Sequence, residues 1–123
     1  MPNPNFVILY VDDPETSAAF YADLLGRPPM EASPTFAMFS LHGDVMLGLW
    51  SKHTVAPGAE SGGGGAEIAF TVAMPAEVDA THGAWRARGI PVLQAPTDLD
   101  FGRTFVALDP DRHRLRVFAP AMG

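Results

Sequence analysis

The sequence predicts an α+β fold built from two tandem βαβββ modules with cupped mixed β-sheets. A strand-like apolar run opens each half, first Phe6 to Val11 and later Ile68 to Val72. Each run leads into a helical stretch, through Val11-Asp12-Asp13-Pro14 and then Val72-Ala73-Met74-Pro75. Each helical stretch closes on a glycine followed by proline, at Gly26-Arg27-Pro28 and Gly89-Ile90-Pro91. Further apolar runs follow, the last ending in Gly48-Leu49-Trp50 and Arg116-Val117-Phe118. Two copies of one pattern in 123 residues indicate a duplicated module. Two open sheets facing each other would enclose a concave site.

The elements follow in order. Phe6 to Val11 is apolar at every position and reads as a buried strand, not an exposed edge. Asp13 is a good helix cap, and Pro14 suits the first helical position because that position needs no N–H. Phe20, Tyr21, Leu24 and Leu25 recur at helical spacing until Gly26 stops the helix. Phe36 to Leu41 and Val45 to Trp50 flank His42-Gly43-Asp44, which reads as a hairpin turn. His53 to Ala66 carries Pro57, Gly58 and the run Gly62 to Gly65, and reads as a flexible hinge. Pro75 to Arg88 is the second helix, with Val78, Thr81 and Trp85 as its inner stripe. Val92 to Gln94 reads as a short strand. Phe105 to Leu108 and Leu115 to Phe118 form a last hairpin around Asp109-Pro110-Asp111. The expected organisation is one domain over 1–123: module one at about 6–52, linker 53–66, and module two at about 67–120.

Composition narrows the function. Hydrophobic residues make up 47% of the chain and charged residues 18%, enough apolar surface for one core. The net charge of −6 argues against a nucleic-acid partner, which requires clustered Lys and Arg. The single basic cluster, Arg112 to Arg116, alternates as strand residues do. There are no cysteines, hence no disulfide framework and no thiolate chemistry. No run reaches membrane-spanning length, and Phe6 to Val11 is too short for a signal-peptide core, so a cytoplasmic protein with no membrane partner is expected. His42, His53, His82 and His113 are never spaced four apart on a helix and read as solvated surface residues. No nucleophile elbow or phosphate-binding loop is present.

Alternation then groups candidate site residues. If Gly48 faces inward, so do Met46 and Trp50; if Arg116 does, so do Arg114 and Phe118. Phe6, Ile8 and Tyr10 share a face in the same way. Trp50 either fills core or offers a flat stacking surface; its place beside a flexible loop and near the space left by Gly48 favours stacking, worth about 0.5–1.5 kcal/mol beyond area burial. Phe36, Phe39, Phe101 and Phe105 divide between core and site. Met30, Met38, Met46 and Met74 would make a cup adaptable or simply fill core. Arg103 is either a surface residue paired with Asp98 or Asp100, or a fork for a ligand carboxylate.

The duplication, together with Val11-Asp12-Asp13, Phe20-Tyr21, Leu24-Leu25-Gly26 and Asp109-Pro110-Asp111, resembles the vicinal oxygen chelate superfamily, which includes glyoxalase I, extradiol dioxygenases and bleomycin resistance proteins. Leu49-Trp50-Ser51 and Phe101-Gly102-Arg103-Thr104-Phe105 are similar to segments of the phenazine antibiotic resistance proteins, metal-free members that bind a planar tricyclic drug between two subunits. The first resemblance implies a vicinal oxygen chelate fold and a homodimer, with cups formed where modules of different chains meet.

Enzymes of that superfamily hold a divalent metal at four positions, which correspond here to Phe6, Gly48, Glu67 and Arg116. Phe and Gly supply no ligand and Arg repels a cation, so no metal and no cofactor are expected. Glu67 and Arg116 read instead as a charge pair replacing part of the metal site. The resemblance therefore implies a binding protein that sequesters a planar aromatic small molecule, of the phenazine type. Trp50, Phe101, Arg103, Phe105, Met46, Glu67, Arg116 and Phe118 are the expected ligand-binding residues, and no catalytic residue is assigned. The alternatives are a glyoxalase-like enzyme or metal-independent lyase or isomerase with Glu67 as its base, and a non-catalytic ligand sensor.

Overall fold

The computed structural model describes residues 4–60 and 62–121. Module one runs β1 (Phe6–Val11), α1 (Pro14–Leu25), β2 (Glu31–Ala32), β3 (Phe36–Ser40), β4 (Met46–Ser51). Module two repeats the order as β5 (Glu67–Thr71), α2 (Pro75–Ala87), β6 (Val92–Leu99), β7 (Gly102–Leu108), β8 (Arg114–Pro120). Each module makes a four-stranded mixed sheet, β1-β4-β3-β2 and β5-β8-β7-β6, whose first strand lies parallel to its last. Contacts divide the chain into two compact units, Met1–Gly62 and Gly63–Gly123, a boundary inside the expected 53–66 linker. No helix among the described residues is long and apolar enough to cross a membrane.

The helices begin where the caps require. Asp13 is extended (φ −137°), and its carboxylate accepts the Glu15 N–H at 3.2 Å and the Thr16 hydroxyl at 2.7 Å. Gly26 closes α1 at φ 69°, in the left-handed region. The buried face of α1 is Pro14, Ser17, Ala18 and Tyr21, while Phe20, Leu24 and Leu25 are only half-buried. Small residues thus bring α1 close to its sheet, and Tyr21 meets Phe39 of β3 at 6.5 Å between ring centroids. In α2, Glu77 accepts the Met74 N–H at 3.2 Å. Val78 and Trp85 are buried as expected; Thr81 is half-buried and donates its hydroxyl to the Glu77 carbonyl at 2.7 Å.

Several expectations are corrected. β1 is an edge strand, and Phe6, Ile8 and Tyr10 are 41%, 44% and 40% exposed. Continuous apolarity there reflects a strand with hydrophobic residues on both faces, not a central position in the sheet. β6 continues past Gln94 to Leu99, through Pro96, with register shifts between Val92 and Thr97. It too is an edge strand, where a missing N–H costs no ladder bond. The two-residue strand β2 has no signal in the sequence pattern. The 53–66 stretch is anchored at its start. His53 Nε2 lies 2.7 Å from Asp12, and Val55 is buried. That contact, with Lys52 nearby, holds the Asp12 carboxyl below its usual value. Gly63 is more than linker, since a Cβ there would strike the Arg112-His113 backbone.

The turns of module two are tightly specified. The buried Asp109 carboxylate accepts the N–H groups of Asp111 at 2.9 Å and His113 at 2.8 Å, which fixes the β7–β8 turn. Gly102 opens β7 at φ 141°, where a Cβ would meet the Ala119 carbonyl. Position 102 therefore accepts only glycine. Gly102→Ala should destabilise the fold by about 1–3 kcal/mol or more. Urea unfolding should show a lower midpoint at unchanged slope, and a wild-type midpoint would refute the assignment.

Candidate ligand-binding site

Strand register decides which side chains meet. On the first sheet, Ile8 and Met38 flank Gly48, while Tyr10 and Phe36 flank Trp50. Period-two alternation places Phe6, Ile8, Tyr10, Met46 and Trp50 on one face. The opposite set, Ala37, Phe39, Leu47 and Leu49, is buried on the α1 side. Trp50 is half-buried and meets the Phe36 ring edge-to-face at 6.2 Å. The space above Gly48 is not empty. A Cβ there would lie 2.8 Å from the Phe6 ring and 3.0 Å from the Phe36 ring, so both rings rest against the glycine backbone.

On the second sheet the face away from α2 is polar as well as aromatic. Arg116 is paired bidentately with Glu67, Nε to Oε1 at 2.6 Å and Nη2 to Oε2 at 3.1 Å. Its Nη1 donates to the Thr104 hydroxyl at 3.1 Å, and that hydroxyl donates to the Val117 carbonyl at 2.9 Å. The guanidinium lies 5.7 Å from the centre of the Phe101 ring, which in turn meets Phe118 edge-to-face at 5.7 Å. Five groups thus form one array: Glu67, Arg116, Thr104, Phe101 and Phe118.

Two expected site residues lie elsewhere. Arg103 and Phe105 occupy the α2 side of β7, opposite to Thr104. Phe105 is fully buried, 5.3 Å from the rings of both Trp85 and His82, and is core. Arg103 donates from Nε and Nη2 to Asp79 of α2 at 3.1 and 3.0 Å, and from Nη1 to Asp98 at 3.0 Å. The Asp79 bonds, then those to Asp98, raise its pKa further. It is a fold-stapling residue, paired as a surface Arg, and not available as a carboxylate fork. His82, half-buried against Phe105, likewise differs from a solvated surface histidine. Sequence reasoning missed Thr104 and Asp79. Thr104 was findable, because it stands opposite Phe118 in the last hairpin.

The glyoxalase/bleomycin resistance protein/dioxygenase superfamily profile matches residues 3–117. The chain belongs to this superfamily. Within it, the chain is 32% identical over 119 residues to the phenazine antibiotic resistance protein EhpR of Enterobacter agglomerans, covering 93% of this chain and 89% of that protein. The solution NMR structure of protein ATC0852 from Agrobacterium tumefaciens is similar at 53% identity and a TM-score of 0.91, over 99% of this chain and 100% of that one. A glyoxalase/bleomycin resistance protein/dioxygenase from Nocardioides superposes with a TM-score of 0.82 at 27% identity, over 100% of this chain and 86% of that one. The vicinal oxygen chelate fold of this superfamily member is thereby established.

The divalent metal of superfamily enzymes does not fit these residues. Of the four corresponding positions, Phe6 and Gly48 carry no donor, and Arg116 is a cation. Glu67 has both carboxylate oxygens engaged by Arg116. Among the described residues no group of three or more His, Cys, Asp or Glu side chains is arranged to hold a metal. Titration with zinc or nickel should therefore show no stoichiometric site, and elemental analysis of the purified protein should find none. One equivalent of metal per chain that Glu67→Ala abolishes would contradict this.

Proposed function

We propose that this protein is a non-catalytic binding protein that sequesters a planar aromatic small molecule, an antibiotic of the phenazine type. The observation that carries the reading is the face around Trp50. A half-buried indole stands between Tyr10 and Phe36 in register, next to the Phe6 and Phe36 rings packed against Gly48. Such a surface stacks on a flat polycycle and removes water from one side of it. The 32% identity to a phenazine antibiotic resistance protein supports the same ligand class. The array of Phe101, Phe118, Glu67 and Arg116 supplies a second surface with aromatic and polar character. Glu67 is the carboxylate an enzyme reading would use as base, and both its oxygens accept from Arg116.

Sequestration needs affinity and stoichiometry alone, since removing free drug requires no bond chemistry. Calorimetric titration with a phenazine should show saturable binding. Trp50→Ala should weaken it by about 2 kcal/mol, some thirtyfold in Kd. Arg103→Ala should lower stability and leave affinity unchanged, because Arg103 binds Asp79 and Asp98 on the α2 side. Wild-type affinity in Trp50→Ala, with the variant shown to be folded, would move the site elsewhere.

A homodimer and a cytoplasmic location belong to the same reading. Edge strand β1 exposes Phe6, Val7, Ile8 and Tyr10, apolar surface that a second copy would cover. Sedimentation equilibrium at micromolar concentration should give twice the 13.1 kDa chain mass, and a monomer would overturn the assignment.

A further inference from the structure

Both acidic side chains of α2 are engaged. Glu77 accepts the Met74 N–H, and Asp79 holds Arg103. The basic side chains of the same helix are not. Arg86 is exposed, and no hydrogen bond or ion pair engages its side chain among the described residues. It does not cap its own helix, because backbone groups meet the last carbonyls. Arg88 and Ile90 each donate an N–H to the Trp85 carbonyl at 3.1 Å, and Gly89 donates to the Arg86 carbonyl at 3.0 Å. His82, one turn earlier, is half-buried against Phe105 at 5.3 Å between ring centroids, and neither ring nitrogen has a hydrogen bond to the described residues. Every buried side-chain nitrogen or oxygen among the described residues has a partner, so the His82 nitrogens are reached by solvent.

Residues four apart on a helix share a face. His82 and Arg86 line one open cavity of about 530 Å³, together with Ile90, Pro91, Val92 and Ala95. Val92 stands in register with Ala107 on the face of the sheet that α2 covers. The cavity is therefore on the opposite face from Arg116, Phe101 and Phe118. No Asp or Glu lines it among the described residues. A guanidinium offers a fork to two oxygens of one anion, and an imidazole N–H beside it supplies a third bond. Two constraints set the ligand charge at one. Arg86 is the one permanent cation lining the cavity among the described residues, and the electronegative C-terminal end of α2 disfavours a second negative charge. A phosphate dianion fits neither constraint. The volume far exceeds that of an inorganic anion and admits an organic body. Pro91 and Val92 give that body an apolar flank, and the open side leaves room for a polar group in water.

We infer that the groove between α2 and β6 binds a small organic monocarboxylate, with its carboxylate on Arg86 and His82 and one flank of its body on Pro91 and Val92. The site lies wholly in module two, goes beyond the aromatic-stacking reading and does not require Trp50.

The test titrates 4-hydroxybenzoate and its neutral counterpart 4-hydroxybenzamide into the ¹⁵N-labelled protein and follows amide shifts. In wild type the benzoate shifts should gather at His82, Arg86, Gly89, Ile90 and Val92, a readout independent of any variant. The benzoate should bind at least about fivefold tighter than the benzamide. Arg86→Gln should lose that preference. His82→Phe, which keeps a ring against Phe105 and removes the N–H, should weaken benzoate binding about threefold. Arg88→Gln removes the same charge two residues away, outside the cavity, and should keep the preference; Trp50→Ala should keep it too. Equal binding of the two probes, no binding of the benzoate, or shifts gathered elsewhere would overturn the site. An equal loss in Arg88→Gln would overturn it as well, by reducing the effect to the general field of the helix end. Absent phenazine binding alongside an intact benzoate preference would count against the proposed function alone.

Discussion

Parallel pairing of the first strand of each module with its last constrains everything that follows. A parallel pair cannot be closed by a tight turn, so the chain must cross over through a helix. That helix covers one face of the sheet and leaves the other to different chemistry. β1 with β4, and β5 with β8, are in unbroken register over their shared lengths. Facing is therefore inherited along the whole strand. Once Gly48 is placed, Trp50 and Met46 are placed, and once Leu115 is buried under α2, Arg114 and Arg116 must emerge on the far side.

The same parity rule explains where sequence reading succeeded and where it failed. The starts of β1, β3 and β6, the Asp13 cap, the proline opening each helix and the duplicated order were legible, because proline, glycine and Asp13 act locally and need no tertiary partner. The pairing of Glu67 with Arg116 was legible for the same reason that the metal was not expected: charge signs are visible without coordinates. The segment Phe101 to Phe105 does not act as one block. Alternation divides it, sending Arg103 and Phe105 toward α2 and Thr104 toward Arg116. The rule was available in the sequence, but its phase depended on knowing that the strand begins at Gly102, three residues earlier than the apolar run suggests.

Edge status was less accessible. β1 and β6 both sit at sheet margins, yet one is wholly apolar and the other contains Pro96 and Asp98. No single compositional signature marks an edge, because an edge strand is defined by the neighbour it lacks. Carboxylate traffic was hidden too. Asp79 lies 24 positions before Arg103 in the chain, and only the packing of α2 on β7 brings them to 3.0 Å. That packing is what consumes Arg103.

Gly48 has a consequence for how such a surface diversifies. With no side chain at that position, two phenyl rings lie on the backbone itself, and the floor beside Trp50 is set at its lowest level. Any added carbon would lift Phe6 and Phe36 together, since both lie within about 3 Å of the same point. Position 48 thus works as a depth stop: one atom there alters the height of both rings beside the indole, without touching the indole. A substitution at this position could reshape the aromatic surface while leaving charge, strand register and the aromatic inventory unchanged.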